Sequence, residues 1–432
     1  MRKNMNNGQP RKTLFVVNQF YPPDYAPTGQ LIQELVSALN CDNTLIRVFT
    51  GQPSYAFKNK SAPTLQKIKG IIVQRTRATQ ILGARIRGKA INGLLFFIRT
   101  ALYLLKHIKR NDTLLLTTAP PFLPFLGYLL HCIRGTSYIC LIYDLYPDVA
   151  ESLNVVHPHN WLVKFWHGIN RMTWNKAERI IVLSRNMKEQ ILTKHPHLAP
   201  KITIISNWAD ADSIVPMKKT ENWFAKRYNL TEKFTILYSG NMGRCHDIDT
   251  ILDTASELKD EPVQFVFIGG GAKYQSSMDK VEELGLENCL FLPYQERSVL
   301  PYSLTACDLS LVSVAAGMSG VVAPSKLYSA LAAGRPVAVI CDERCYLKET
   351  IEQAKCGLAF GNGDSVGLSQ FIRQLVLNSA SAESMGKAAR HHLTSNYTLK
   401  TISEKYATVL GLISGPDVVK SEMSMTTSFS EL

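Results

Sequence analysis

Short runs of β-branched and aromatic residues alternate with longer stretches of helical period along almost the whole chain. In the first half, Thr13–Asn18, Leu45–Thr50, Ile71–Arg75, Thr113–Thr117, Tyr138–Tyr143, Arg179–Leu183 and Ile202–Ile205 read as strands. Helical patterns lie between them, among them Gln30–Leu39 and Phe122–Ile133. The second half repeats the plan. Its strands are Phe234–Tyr238, Gln264–Ile268, Cys289–Leu292, Leu309–Val312 and Val337–Ile340. Its helices are Ile248–Leu258, Gln275–Leu284, Pro301–Ala306, Lys326–Ala333 and Val366–Asn378. This alternation predicts an α/β protein of two doubly wound domains, with ligands at the carboxyl ends of the strands.

At 432 residues the chain is long enough for two cores. Residues 206–220 carry Asn207, Asp210, Asp212 and Pro216 in a loop-like mixture, which places the hinge there. The first domain is then 12–207 and the second 208–396. A last helix, Thr398–Leu412, has few partners in its own half, so 397–412 is expected to cross back to the first domain. The Ser/Thr-rich segment 413–432 reads as a flexible tail.

The net charge of +13 is concentrated in one place. No acidic residue occurs between Asp42 and Asp112, where fourteen Lys or Arg fall; outside that window 34 basic residues face 35 acidic ones. Such a field attracts anionic lipid headgroups, nucleic acid or phosphorylated ligands. No helix-turn-helix, zinc-finger or RNP-like pattern accompanies it, which argues against nucleic acid. The stretch from Ile91 to Leu105 is apolar and aromatic and is bracketed by basic residues. It reads either as a surface lying on an anionic membrane or as a core helix with a solvated basic rim.

No secretory signal is expected, because the apolar run Leu14–Val17 is too short. The uncharged run Thr113–Ile133 holds Pro120, Pro121 and Pro124, so a strand, a loop and a helix explain it better than a membrane span. The nine cysteines contain no C-x-x-C pair and are odd in number, which fits reduced thiols in a cytosolic protein.

Candidate chemistry gathers at three turns. Ser319–Val339 holds a Pro324-Ser325-Lys326 corner opening a helix that stops at Gly334. A loop that opens a helix offers unpaired N–H groups, and with Lys326 it suits a diphosphate. Tyr238-Ser-Gly-Asn-Met-Gly-Arg-Cys-His-Asp247 sits at the end of the first strand of the second half. There Gly240, Asn241 and Gly243 let backbone approach a phosphate, and Arg244 offers a planar fork. His246 reads either as a weaker second contact or as a helix-start residue. Pro27-Thr28-Gly29 occupies the matching turn of the first half, where Gly29 permits close approach or simply forms a turn. Gly270, within Gly269-Gly-Gly271, follows another strand. No metal-suited D-x-D and no G-x-S-x-G is present; Asp210-Ala-Asp212 reads as a hinge turn.

Together these motifs carry a resemblance. Phe20-Tyr-Pro-Pro with Gly29, Tyr143-Asp-Leu-Tyr-Pro-Asp148, Ser239-Gly-Asn-Met-Gly-Arg244, Phe291-Leu-Pro-Tyr294, and Pro324-Ser-Lys-Leu-Tyr with Ala332-Ala-Gly-Arg-Pro336 resemble the family-4 retaining glycosyltransferases of GT-B fold, of the colanic-acid and exopolysaccharide type. The similarity covers roughly residues 12–412. It implies a nucleotide-diphosphate sugar, UDP- or GDP-linked, as donor substrate, bound mainly by the second domain through Gly240, Asn241, Gly243, Gly270, Tyr294, Pro324, Ser325 and Lys326, with Gly29 contributed by the first. Arg244, Lys326 and Asp144 are then the candidate catalytic residues, with no metal and no cofactor. The acceptor, a lipid-linked or polysaccharide precursor, falls to the basic first domain. That assignment puts the protein in the cytoplasm, peripheral to the inner face of the plasma membrane.

Three departures stand out. Val321 and Ser329 occupy the positions of a Glu-x7-Glu pair found in many members, the Arg/Lys pair of the second glycine turn is reduced to Arg244 with His246, and a usual His-Asp reads Tyr143-Asp144. Asp144 is the candidate for orienting acceptor or sugar, or else a turn residue beside Pro147. The rival readings are a nucleotide-sugar epimerase of the same architecture and a non-catalytic membrane-associated binder.

Overall fold

The computed structural model describes residues 12–24, 26–40, 44–53, 61–76 and 86–413. The first domain runs β1 (Lys12–Val17), α1 (Pro27–Ala38), β2 (Thr44–Thr50), β3 (Leu65–Ile68), β4 (Ile71–Arg75), α2 (Ile86–His107), β5 (Thr113–Thr117) and α3 (Pro124–Arg134). It continues with β6 (Ser137–Ile142), α4 (Asp148–Ser152), α5 (Trp161–Lys176), β7 (Arg179–Val182), α6 (Arg185–Lys194) and β8 (Ile202–Ile204). The sheet order is β3-β4-β2-β1-β5-β6-β7-β8, parallel except for the β3–β4 pair. Every residue of β5 is buried, as expected for a central parallel strand covered on both faces.

The second domain contains α7 (Trp223–Arg227), β9 (Phe234–Asn241), α8 (Asp249–Glu257), β10 (Val263–Gly270), α9 (Tyr274–Glu283), β11 (Cys289–Leu292), α10 (Leu300–Thr305) and β12 (Leu309–Ser313). After these come α11 (Lys326–Ala332), β13 (Val337–Ile340), α12 (Tyr346–Ala354), β14 (Gly357–Phe360), α13 (Ser365–Leu377), α14 (Ser379–Asn396) and α15 (Leu399–Val409). Its six strands are all parallel, in the order β11-β10-β9-β12-β13-β14. The architecture is thus α/β with two doubly wound sheets, as the alternation of patterns predicts.

Several elements were not assigned from the sequence, among them β3, β14, α12 and α14. Strand β3 is a mostly exposed edge strand, so Leu65-Gln-Lys-Ile68 gives little apolar signal. Strand β14 starts at a glycine and is only four residues long. Helix α12 follows a polar turn, and α14 is Ser/Ala-rich with only Gly386, Ala389 and Leu393 buried, a weak helical stripe. The segment Thr113–Ile133 divides into β5 and α3, and no described helix is long and apolar enough to cross a membrane. The expected tail beyond residue 413 lies outside the described residues, as do Lys58, Lys60, Arg77 and Arg85 of the basic window.

Contacts between the domains fix where the site forms. Helix α15 packs on α1, and Tyr406 of α15 meets Trp208 with ring centroids 6.3 Å apart. Nearby, Ala209 forms a bridge with Thr398. On the other side, the end of β6 reaches the loop before α11: Asp144 bridges Val322, and the Leu145 amide donates to the Val321 carbonyl at 2.9 Å. Asn186 clamps the α12 start, donating to the Arg344 carbonyl at 2.9 Å and accepting from the Tyr346 amide at 2.7 Å.

Candidate active site

A cleft of about 1040 Å3 separates the two sheets. The first domain contributes Pro27, Gln30 and Glu34 from α1 and Asp144 and Tyr146 from the loop after β6. The second contributes Ser239 to Asn241 at the end of β9, Gly243 to His246 just after it, Tyr294 and Arg297 after β11, and Pro324 to Lys326 at the start of α11. All these segments follow the carboxyl ends of parallel strands or start the next helix, where doubly wound sheets bind ligands.

Lys326 is the centre of the second wall. Its ammonium donates to the Asn241 carbonyl at 3.1 Å, contacts His246 Nε2 at 3.2 Å and lies 4.7 Å from the centre of the Tyr238 ring. Burial pushes its pKa down from 10.5 to about 7. His246 Nδ1 lies 2.8 Å from the Ser313 carbonyl. A carbonyl only accepts, so Nδ1 carries the proton and Nε2 is the acceptor for Lys326. Burial, followed by the neighbouring lysine, lowers the His246 pKa to about 3, so the ring is neutral.

Glycines shape the same wall. Gly240 has φ +133°, and a Cβ there would lie 3.0 Å from Lys326 Cε. Gly269, at φ +142°, leaves room for the Gly240 carbonyl, which an added Cβ would approach to 2.0 Å. Gly270 lies just behind: its carbonyl accepts from the Met242 amide at 2.7 Å, and a Cβ added there would lie 3.1 Å from Tyr294 Cε2. It therefore supports Asn241 and Tyr294 but is not itself among the cleft-lining residues. Arg244 is exposed on the cleft wall, two residues from His246. Ser325 precedes α11 without capping it through its side chain.

On the opposite wall Asp144 is half-buried, and burial pushes its carboxyl up to about 6. Its charge and that of Lys326 both act on Cys245, whose thiol burial raises to about 11. Gly29 does not reach the cleft. It is buried in the first turn of α1, where an added Cβ would sit 2.9 Å from the Phe20 carbonyl carbon; its role is helix packing, and its neighbours Pro27 and Gln30 face the cleft.

Residues not singled out from the sequence close the far end of the cleft. Glu34 of α1 pairs with Arg297 of the second domain and accepts from the Trp208 indole at 2.7 Å. Neither glycine turns nor helix starts mark these positions, and only the fold brings them together. Among the described residues, one group has metal-ligand spacing, Asp148, Glu151 and His167, with ligand atoms within 4.8 Å. Lys194 already occupies it, 2.7 Å from Asp148 Oδ1 and 3.4 Å from His167 Nε2, so it is an ion-pair network.

Known proteins resemble this chain in sequence and in fold. Residues 219–392 match the family described as glycosyl transferases, group 1. The probable glycosyltransferase WbjE of Pseudomonas aeruginosa is 27% identical over 303 residues, 69% of this chain and 74% of its own. WcaI of Escherichia coli K12, provisionally named a colanic acid biosynthesis glycosyl transferase, is 26% identical over 180 residues, 41% of this chain and 44% of its own. The crystal structure of Anabaena HepE in complex with UDP-glucose superposes with a TM-score of 0.66 over 93% of this chain and all of that one, at 13% identity. The second domain thus matches the glycosyl transferase group 1 family over residues 219–392, and the two-domain scaffold has the GT-B fold.

Proposed function

We propose that the protein transfers a sugar from a nucleotide-diphosphate sugar, UDP- or GDP-linked, to a lipid-linked or polysaccharide-precursor acceptor, with retention of anomeric configuration. The observation that carries this reading is the Lys326 ammonium, fixed by Asn241 and His246 beside the Gly240 turn and on the same cleft as Arg244. The HepE complex supports a nucleotide sugar as donor. The kinship with WcaI supports a polysaccharide-type acceptor.

Breaking the anomeric C–O bond leaves negative charge on the departing diphosphate. Lys326 and Arg244 offset that charge, and one such donor contributes about 10²–10³ in rate. Desolvation holds the free Lys326 near neutrality, and a bound diphosphate restores its proton by supplying the missing counter-charge. Asp144, on the opposite wall, orients the incoming hydroxyl. The acceptor attacks the face from which the diphosphate leaves, and the leaving phosphate oxygen takes the hydroxyl proton, so no separate base and no metal is called for.

An epimerase would need unpaired carboxylates for acid–base work. Glu34 is engaged by Arg297 and Trp208, and Asp210 by Ser213, which leaves Asp144 as the one cleft-lining carboxylate available and disfavours a reading that needs an acid–base pair. Replacement of Arg244 and of Lys326 by alanine tests the proposal. Both transfer and donor hydrolysis are expected to fall by about 10² or more in each variant. Near wild-type turnover in both, or an isomerised sugar nucleotide without free nucleoside diphosphate, overturns it.

A further inference from the structure

Helix α2 resolves the two readings of its apolar sequence by having two apolar faces. Phe96, Thr100 and Leu104 are buried, with Phe96 against Phe49 of β2. The opposite face carries Ile91, Leu94, Ile98 and Leu102, spaced i, i+3, i+7, i+11 and 41–65% exposed. Helix α5 repeats this arrangement. Trp161, Phe165 and Met172 form an outward stripe, with Leu162 beside it, and Trp161 is 71% exposed. Solvent-facing stripes at helical spacing on two neighbouring helices exceed the scattered apolar exposure of an ordinary surface.

The two helices belong to one face of the first domain. Helix α3 packs against both. An aromatic column joins them: Phe97 of α2 meets Phe122 with centroids 5.7 Å apart, Phe122 meets Trp166 of α5 at 6.5 Å, and Trp166 stacks on Tyr146 at 6.0 Å. Tyr146 in turn lines the cleft. Exposed cations surround the stripes: Lys106, Lys109 and Arg134 near the ends of α2 and α3, and Lys164, Arg171 and Lys176 on α5. Around α5 the angle of 100° per residue sets Lys164 and Arg171 along one border of the apolar stripe, the pattern of a helix lying in a membrane interface.

We infer that the outer faces of α2 and α5 form one docking surface for an anionic phospholipid membrane. Apolar side chains enter the headgroup boundary, Trp161 sits at its level, and the flanking cations meet the lipid phosphates. A second copy of the chain fits this face poorly, because a two-fold contact would oppose like charges. The aromatic column then holds the Asp144–Tyr146 side of the cleft in a fixed relation to the membrane. The inference rests on the transfer reading only in treating the acceptor as lipid-linked; the surface itself stands on the exposed stripes and their charge.

Sedimentation of the full chain with sucrose-loaded vesicles tests it. The vesicles are phosphatidylcholine with and without about 30% phosphatidylglycerol, in about 0.1 M and 0.5 M salt. Wild type is expected to sediment with the anionic vesicles and to release in part at the higher salt. The exposed-site pairs Trp161→Glu/Phe165→Glu and Leu94→Glu/Ile98→Glu are each expected to lower the partition coefficient by about tenfold or more. Their UDP- or GDP-dependent thermal shift should match wild type, which shows that the fold is intact. Wild-type binding that neither pair weakens, absence of vesicle binding, or a lipid-free dimer that both pairs split into monomers overturns the inference. A wild type that binds vesicles but shows no thermal shift with any nucleoside diphosphate contradicts the transfer reading and leaves the docking surface standing.

Discussion

Lys326 Nζ donates to His246 Nε2 across 3.2 Å, and the Ser313 carbonyl, 2.8 Å from Nδ1, holds that imidazole in the one tautomer able to accept. The lysine is thereby aimed by a neutral ring rather than by a carboxylate. A carboxylate would neutralise it; the imidazole leaves its charge free for an anionic ligand. Replacing His246 with alanine should therefore cost about tenfold in donor affinity through loss of aim. Titration of the variant with UDP and GDP checks this, with circular dichroism as the control for folding.

Lys326 also sets a pH dependence. Its folded pKa of about 7 lies below the 10.5 of a free lysine, so above neutrality Lys326 is largely uncharged in the empty site. Nucleoside diphosphate affinity should fall as pH rises through this value. Binding at about pH 8.5 should draw in close to one proton, measurable by calorimetry in buffers of different ionisation enthalpy. The uptake should vanish in Lys326→Ala. The same shift makes the unfolded chain bind the extra proton between about 7 and 10.5, so this lysine's contribution to stability rises with pH over that window.

Glu34 and Arg297 join α1 to the second domain across the cleft. Arg297 is 46% exposed, so solvent screens the pair and its effect on stability is small, about 1 kcal/mol or less. Its consequence lies in domain spacing. Arg297→Ala should increase the radius of gyration in small-angle scattering without ligand, leave the melting temperature nearly unchanged, and raise KM for the donor more than it lowers kcat.

Gly269→Ala tests the backbone support of the phosphate wall. The new Cβ would lie 2.0 Å from the Gly240 carbonyl, at a φ of +142° that side chains avoid. Destabilisation of about 2 kcal/mol or more is expected, with a melting temperature lower by at least about 4 °C. A variant as stable as wild type would show that the paired ends of β9 and β10 relax without strain.

The sequence made most of the architecture legible because parallel strands buried on both faces leave dense apolar runs, as in Leu114–Leu116 and Val337–Ile340. Glycine turns at Gly240 and Gly243 and the Lys326 helix start were readable for the same local reason. What escaped detection depends on distant segments meeting. His246 gained its role only through Ser313, and Glu34 only through Trp208 and Arg297. Gly29 shows the converse. Its turn resembles a phosphate loop, yet the close approach it permits is to Phe20 of its own chain.

Lys326 and Arg244 should recognise the diphosphate rather than the nucleoside, and calorimetric comparison of nucleoside diphosphate with the bare nucleoside separates the two. For UDP or GDP, whichever binds, Lys326→Ala and Arg244→Ala should each weaken affinity by about 10²-fold while leaving the weak binding of uridine or guanosine unchanged. Equal losses for nucleotide and nucleoside, or none for the nucleotide, would contradict the account.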